Sequence, residues 1–177
     1  IQYFTHLKKN YGKERKRKTI IEEFDDLDKK KISIKNQKLY VNKEEGFIGT
    51  SLKKDEYISD CSDLDDVIVF TKEGIMKVVK VDSKVFIGKD ILHASLFNSD
   101  FKEKTYNLIY RDGKNGTSFM KRFKISGVIR DKEYNLTQGK ESSEVLYFSA
   151  NTKGIADVVT IHLRNRASIK KTKWEVD

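Results

Sequence analysis

The stretch Met76–Val81, "MKVVKV", returns forty-four residues later as Met120–Ile125, "MKRFKI". Each copy has a Met, then Lys-x-x-Lys, then a β-branched residue. Each follows a strand-like run and a turn that carries a glycine. A chain that writes one strand twice is building a repeat, and repeats must be found before anything else is read.

Working outward, four units share the pattern: Lys38–Leu52, Asp66–Val81, Tyr106–Ile125 and Val145–Ile161. Each opens with an apolar strand that reaches an aromatic (Tyr40, Phe70, Tyr110, Phe148). A polar turn follows with a late glycine (Gly46, Gly74, Gly116, Gly154), and a second strand closes the unit. A tight hairpin turn needs a residue tolerant of positive φ, which explains the glycine. One hairpin cannot bury its own apolar face. Hairpins spaced 28, 42 and 38 residues apart therefore predict an all-β, propeller-like array of about four blades. Neither face of "MKVVKV" is free of lysine, so a bulge or a strand end near Val78–Val79 is expected, with Lys77 and Lys80 both reaching solvent.

Before the repeats, Ile1, Phe4, Leu7 and Tyr11 have helical spacing, and Gly12 is a plausible stop. Thr19 with Glu22 has capping-box spacing, while Thr19–Ile21 also reads as extended. Asp25–Lys31 reads as an exposed linker. The expected division is 1–31 as a helical end and linker, and 32–177 as the β domain.

Of 177 residues, 36% are charged and 37% hydrophobic, with 10 Phe, 8 Tyr and one Trp to build a core. Such aromatic content argues against wholesale disorder. No apolar run is long enough for a membrane helix and no signal peptide is evident. Cys61 stands alone and fits a reducing cytoplasm; its expected home is a small packed site. The chain does not begin with Met and reads as a piece of a longer protein. Its net charge of +9 is segregated. Asp55–Asp66 carries six acids and no base, whereas Lys72–Lys132 carries 14 bases against 7 acids. Segregated positive charge attracts polyanions.

Catalytic signatures do not appear. There is no phosphate-binding loop, the three histidines have no metal-ligand spacing, and Cys61 has no adjacent base. Asp60–Asp66, "DCSDLDD", lacks the pattern of a calcium loop and reads as an acidic loop between blades.

The strings "LYVNKEEGFIGTSLKKDEYISDCSDLDDVIVFTKEGIMKVVKV" and "RDKEYNLTQGKESSEVLYFSANTKG" resemble the C-terminal region of the A subunits of bacterial DNA gyrase and topoisomerase IV. The preceding "LKKNYGKERKRKTII" is similar to the segment where the coiled coil of those subunits ends. The resemblance implies a β-pinwheel, here a partial ring, whose propeller-like blades exchange strands with their neighbours and whose basic rim binds and bends duplex DNA. It implies a larger ATP-dependent enzyme, with the remainder of the A subunit and the ATPase-bearing B subunit as partners. ATP and magnesium act elsewhere in that enzyme, so no cofactor and no catalytic residue is expected in this segment. No Gln-Arg-Arg-Gly-Gly-type box follows the first unit, which favours a topoisomerase IV-like role over supercoiling.

Where the repeats align, the resemblance places DNA contacts on Lys77 and Lys80 in one blade and on Lys121, Arg122 and Lys124 in the next. Lys84, Lys89, Arg130 and Lys132 in the following loops are further candidates, as are Lys53 and Lys54. In the fourth unit Asp157 and Thr160 take the lysine positions, so weak binding is expected there. The rival expectation is a protein-interaction propeller without a nucleic-acid role, favoured by the acidic stretch.

Overall fold

In the computed structural model, residues 1–13, 35–152, 157–165 and 170–176 are described. The capping-box, linker and Gly154 expectations fall outside them, as does most of the basic run that begins at Lys13. Two units are distinguished, 1–32 and 33–177. In the first, α1 spans Gln2–Tyr11 as the spacing predicts. Gly12 stops it in an ordinary right-handed conformation, its N–H donating to the Lys8 carbonyl at 3.0 Å.

The second unit is all-β, as expected. Its strands are β1 (Gln37–Asn42), β2 (Phe47–Gly49), β3 (Glu56–Cys61), β4 (Asp66–Thr71), β5 (Ile75–Lys80), β6 (Val85–Phe86) and β7 (Ile91–Leu96), then β8 (Thr105–Arg111), β9 (Ser118–Phe123), β10 (Glu133–Asn135), β11 (Glu144–Asn151), β12 (Val159–His162) and β13 (Lys173–Val176). They form four antiparallel sheets in the orders β3-β1-β2-β6, β10-β5-β4-β7, β11-β8-β9 and β12-β13.

The first three predicted hairpins are β1–β2, β4–β5 and β8–β9. "MKVVKV" and "MKRFKI" are indeed the same strand in successive sheets: β5 pairs with β4, and β9 pairs with β8. The β4–β5 register runs unbroken from Asp66↔Lys80 to Phe70↔Met76, so there is no bulge, and the strand ends one residue past Val79, at Lys80. Lysine appears on both faces for another reason. Every residue of β4 is buried, because the second sheet is packed on both sides. Val67, Val69, Val79 and Val81 join Leu39, Val41, Ile48 and Cys61 in one core. Ile68, Phe70, Met76 and Val78 join Tyr106, Leu108 and Tyr110 in another. Apolar positions then fill both faces, as in any doubly covered sheet, and the lysines take the remaining places. Cys61 is fully buried, in the packed site expected of it.

The turns refine the glycine argument. Gly46 and Gly74 have φ of 80° and 81°. In the third unit the left-handed residue is Gly113, at 85°, and not Gly116. Gly116 is required by crowding instead: a Cβ there would lie 1.6 Å from the Asp112 carbonyl oxygen.

Among the described residues, the fourth predicted hairpin does not form. β11 pairs with β8, and β12 pairs with β13. The strand at Val145 is the counterpart of β7. Ile91 N–H donates to the Lys43 carbonyl in the first turn, and Val145 N–H donates to the Lys72 carbonyl in the second. Alternating apolar residues announce a strand without saying which edge it joins, and β8 had an edge to fill.

Candidate nucleic-acid interface

Two sheets are completed by strands that come back from the next one. After β5, residues 81–84 cross to the first sheet, where β6 pairs with β2 through Phe47↔Phe86 and Ile48↔Val85. After β9, residues 124–132 cross to the second sheet, where β10 pairs with β5 through Tyr134↔Met76. Both returns end alike: Ile87 N–H donates to the Gly46 carbonyl at 2.9 Å, and Leu136 N–H to the Gly74 carbonyl at 2.8 Å. β3 and β7 touch, and His93 of β7 meets Phe148 of β11 with ring centroids 5.6 Å apart. The crossings therefore lie on the side of the sheets away from these strands.

The bases gather on the crossings. Lys80 and Lys124, both exposed, stand where each crossing begins. Lys84 lies on the first crossing, and Arg130 and Lys132 lie on the second; all three are exposed. The first crossing runs beside the 50–54 turn, with Thr50 N–H donating to the Asp82 carbonyl and Ser51 N–H to the Ser83 carbonyl. That turn carries exposed Lys53 and Lys54. Exposed Lys89 follows β6.

Local contacts fix several of these groups. The Lys84 ammonium sits 4.1 Å from the centroid of the Phe47 ring, and that of Lys132 sits 5.4 Å from Tyr134. The Arg130 guanidinium is bound to Asp66, 2.9 Å from Oδ1. Asp66 thus belongs to a strand and an ion pair and not to a loop, so the expected acidic connection shrinks to residues 62–65 between β3 and β4. Asp131 N–H donates to the Val78 carbonyl at 2.8 Å, pinning the second crossing to β5.

The inner lysine of each repeat sits differently. Lys77 has a side chain only 21% exposed and pairs with Glu133 of β10 at 3.4 Å. Lys121 shares its face with Phe119 and Phe123 and lies 5.4 Å from the Phe123 centroid. Burial pulls its ammonium below the usual lysine value. Arg122 points to the opposite face, where its Nε donates to Asn107 Oδ1 at 2.9 Å. Lys77 and Lys80 thus project from opposite faces of β5, Arg130 and Lys132 lie on the crossing pinned to that strand, and Lys84 lies on the crossing hydrogen-bonded to the turn that carries Lys53 and Lys54. Lys121 and Arg122 are separated to opposite faces of β9.

Asp157, which the predicted fourth unit set at a lysine position, accepts hydrogen bonds from Ser149, from Tyr147 at 3.2 Å and from Asn107 at 3.3 Å. It anchors its segment to the outer face of the third sheet. Beside it, Asn107, Ile109, Met120, Arg122, Val159 and Val176 line a cavity of about 260 Å³.

Among the described residues, no group of three His, Cys, Asp or Glu could hold a metal ion, and no helix is long and apolar enough to cross a membrane. Residues 38–177 match a family model described as the topoisomerase C-terminal domain of Bacteroidota. The chain is 35% identical over 152 residues to the A subunit of DNA topoisomerase 4 from Borreliella burgdorferi, an alignment covering 85% of this chain and 24% of that relative. It therefore spans about a quarter of the length of the curated relative it matches. No solved structure matches it.

Proposed function

Because the chain belongs to the C-terminal domain family of bacterial type IIA topoisomerase A subunits, we propose that it binds duplex DNA along the two strand crossings and bends it. The observation that carries this reading is the placement of exposed bases at equivalent points of two successive crossings. Lys80 and Lys84 mark the first; Lys124, Arg130 and Lys132 mark the second. Lysine contacts to phosphate position a duplex without reading its bases, so affinity should depend weakly on sequence and strongly on salt. In the longer protein, such a domain would present a DNA segment to a strand-passage gate in the rest of the same polypeptide. ATP would be used by the separate ATPase-bearing B subunit, and magnesium would be held at the gate.

The test is duplex affinity across a salt series, for the full chain and for a variant with Lys80, Lys84, Lys124 and Lys132 all changed to Glu. Each phosphate neutralised contributes a slope of about −0.9 in log K against log salt. The variant should bind more weakly with a slope shallower by several such increments. Equal binding by both proteins would sink the reading, since the basic segments near the two ends would then be holding the DNA.

A second reading, a protein-interaction module, draws on the acidic stretch of β3 and its loop. Much of that charge is engaged locally: Lys43 pairs with Glu56 at 2.8 Å, Tyr57 donates to Asp60 at 3.0 Å, and Ser62 N–H donates to Asp65 at 2.9 Å.

A further inference from the structure

At each crossing, among the bases, the fold leaves one large apolar side chain outside. Phe86 on β6 is 57% exposed and Ile129 on the second crossing is 63% exposed. Neighbouring apolar residues of the same segments turn inward: Val85 packs against the first core, and Ile125 and Val128 belong to the second. Phe86 stands between exposed Lys84 and Lys89, and Ile129 between exposed Lys124 and Arg130.

Both are firmly mounted. Phe86 is on a paired edge strand, its ring centroid 5.2 Å from that of Phe47, which Lys84 covers from another side. Ile129 N–H donates to Tyr134 Oη at 2.9 Å, and the next residue, Arg130, is tied to Asp66. An apolar group held rigidly outward between cations suits a ligand with charged rails and an apolar interior. Duplex DNA is such a ligand: phosphates outside, stacked bases within.

Resting on the DNA-binding reading above, we propose that Phe86 and Ile129 are wedges that enter between base steps of the bound duplex and kink it, one at each crossing. Apolar side chains used this way unstack a step at a cost of a few kcal/mol, recovered by the protein surface that the bent duplex can then reach. Steps that unstack easily, such as pyrimidine–purine steps, would be favoured, which gives the domain a preference read through DNA deformability and not through hydrogen bonds to base edges.

The experiment uses the full chain and a duplex of about 30 base pairs, fully paired or with one central mismatch. Fluorescent ends report bending, and 2-aminopurine beside the centre reports unstacking. The parent should bind the mismatched duplex about tenfold more tightly, because the unstacking cost is already partly met, and 2-aminopurine should brighten. The F86S/I129S variant should keep the salt slope of the parent and lose the mismatch preference, the brightening and most of the bend. The F86W/I129F variant should retain all three. Bending and brightening unchanged in the serine variant would overturn the wedges while leaving charge-driven binding intact. Loss of the preference in both variants would also overturn them, pointing to disturbed packing. A parent chain that binds neither duplex would remove the DNA reading itself, and the wedges with it.

Discussion

At the residue scale, His93 sits where strands of two sheets meet, its ring centroid 6.1 Å from that of Phe70 and 5.6 Å from that of Phe148. Its Nε2 is buried without a hydrogen-bond partner. Burial holds its imidazole below the usual value of 6.5, with Lys104 and Lys43 adding to the effect. The unfolded chain therefore binds a proton near pH 6.5 that the folded chain refuses. Stability is undiminished above that pH and falls as the pH drops through it, until the lowered folded value is passed. His93→Phe should abolish this component. Urea midpoints for both proteins over roughly pH 8 to 5 would show two diverging curves; parallel curves would mean the imidazole takes its proton in the fold as readily as outside it. Such residue-level behaviour was partly legible in the sequence. The candidate lysines could be named, but Lys77 meets its acid 56 positions away and Asp66 meets its base 64 positions away. Charges that far apart along the chain are joined only by the strand pairing.

At the element scale, the hairpins were readable because turn glycine and alternation are local signals. The returning strands were not, because β6 has two residues and β10 has three, too few to show a period. The fourth unit was misplaced because strand-forming pattern does not encode strand order. The turns offer a graded test. A Cβ at Gly46 would lie 2.1 Å from the Gly88 carbonyl oxygen, which is backbone, whereas one at Gly74 would lie 2.5 Å from a Thr137 methyl, which can turn aside. Both positions also carry the left-handed penalty of about 1–2 kcal/mol. Gly46→Ala should therefore destabilise the fold more than Gly74→Ala. Denaturant midpoints for the two variants would decide it, and the reverse order would show the Gly88 segment yielding more readily than the Thr137 side chain.

At the scale of the whole β unit, stability should be graded from sheet to sheet. The second sheet is covered on both faces, while β12 and β13 carry no fully buried residue. Amide exchange follows local opening, so β4 amides should exchange last and β12–β13 amides first. Uniform protection would mean that the sheets open only together. The repeat that announced an all-β array was visible in the residues themselves, while the interleaving of neighbouring sheets was implied only by the family resemblance.

That interleaving bears on how the chain is made. The first sheet lacks its last strand until Phe86 exists, by which point the second hairpin, β4–β5, has been made. The second sheet likewise waits for β10, beyond the third hairpin. A ribosome delivering the chain from its N-terminus always releases a sheet with one bare edge, and that edge closes only when synthesis has moved a full repeat ahead. Every pause in translation between Lys80 and Glu133 would leave such an edge available to a neighbouring nascent chain, so the order of synthesis, and not final stability, sets the moment at which this architecture is most open to mispairing.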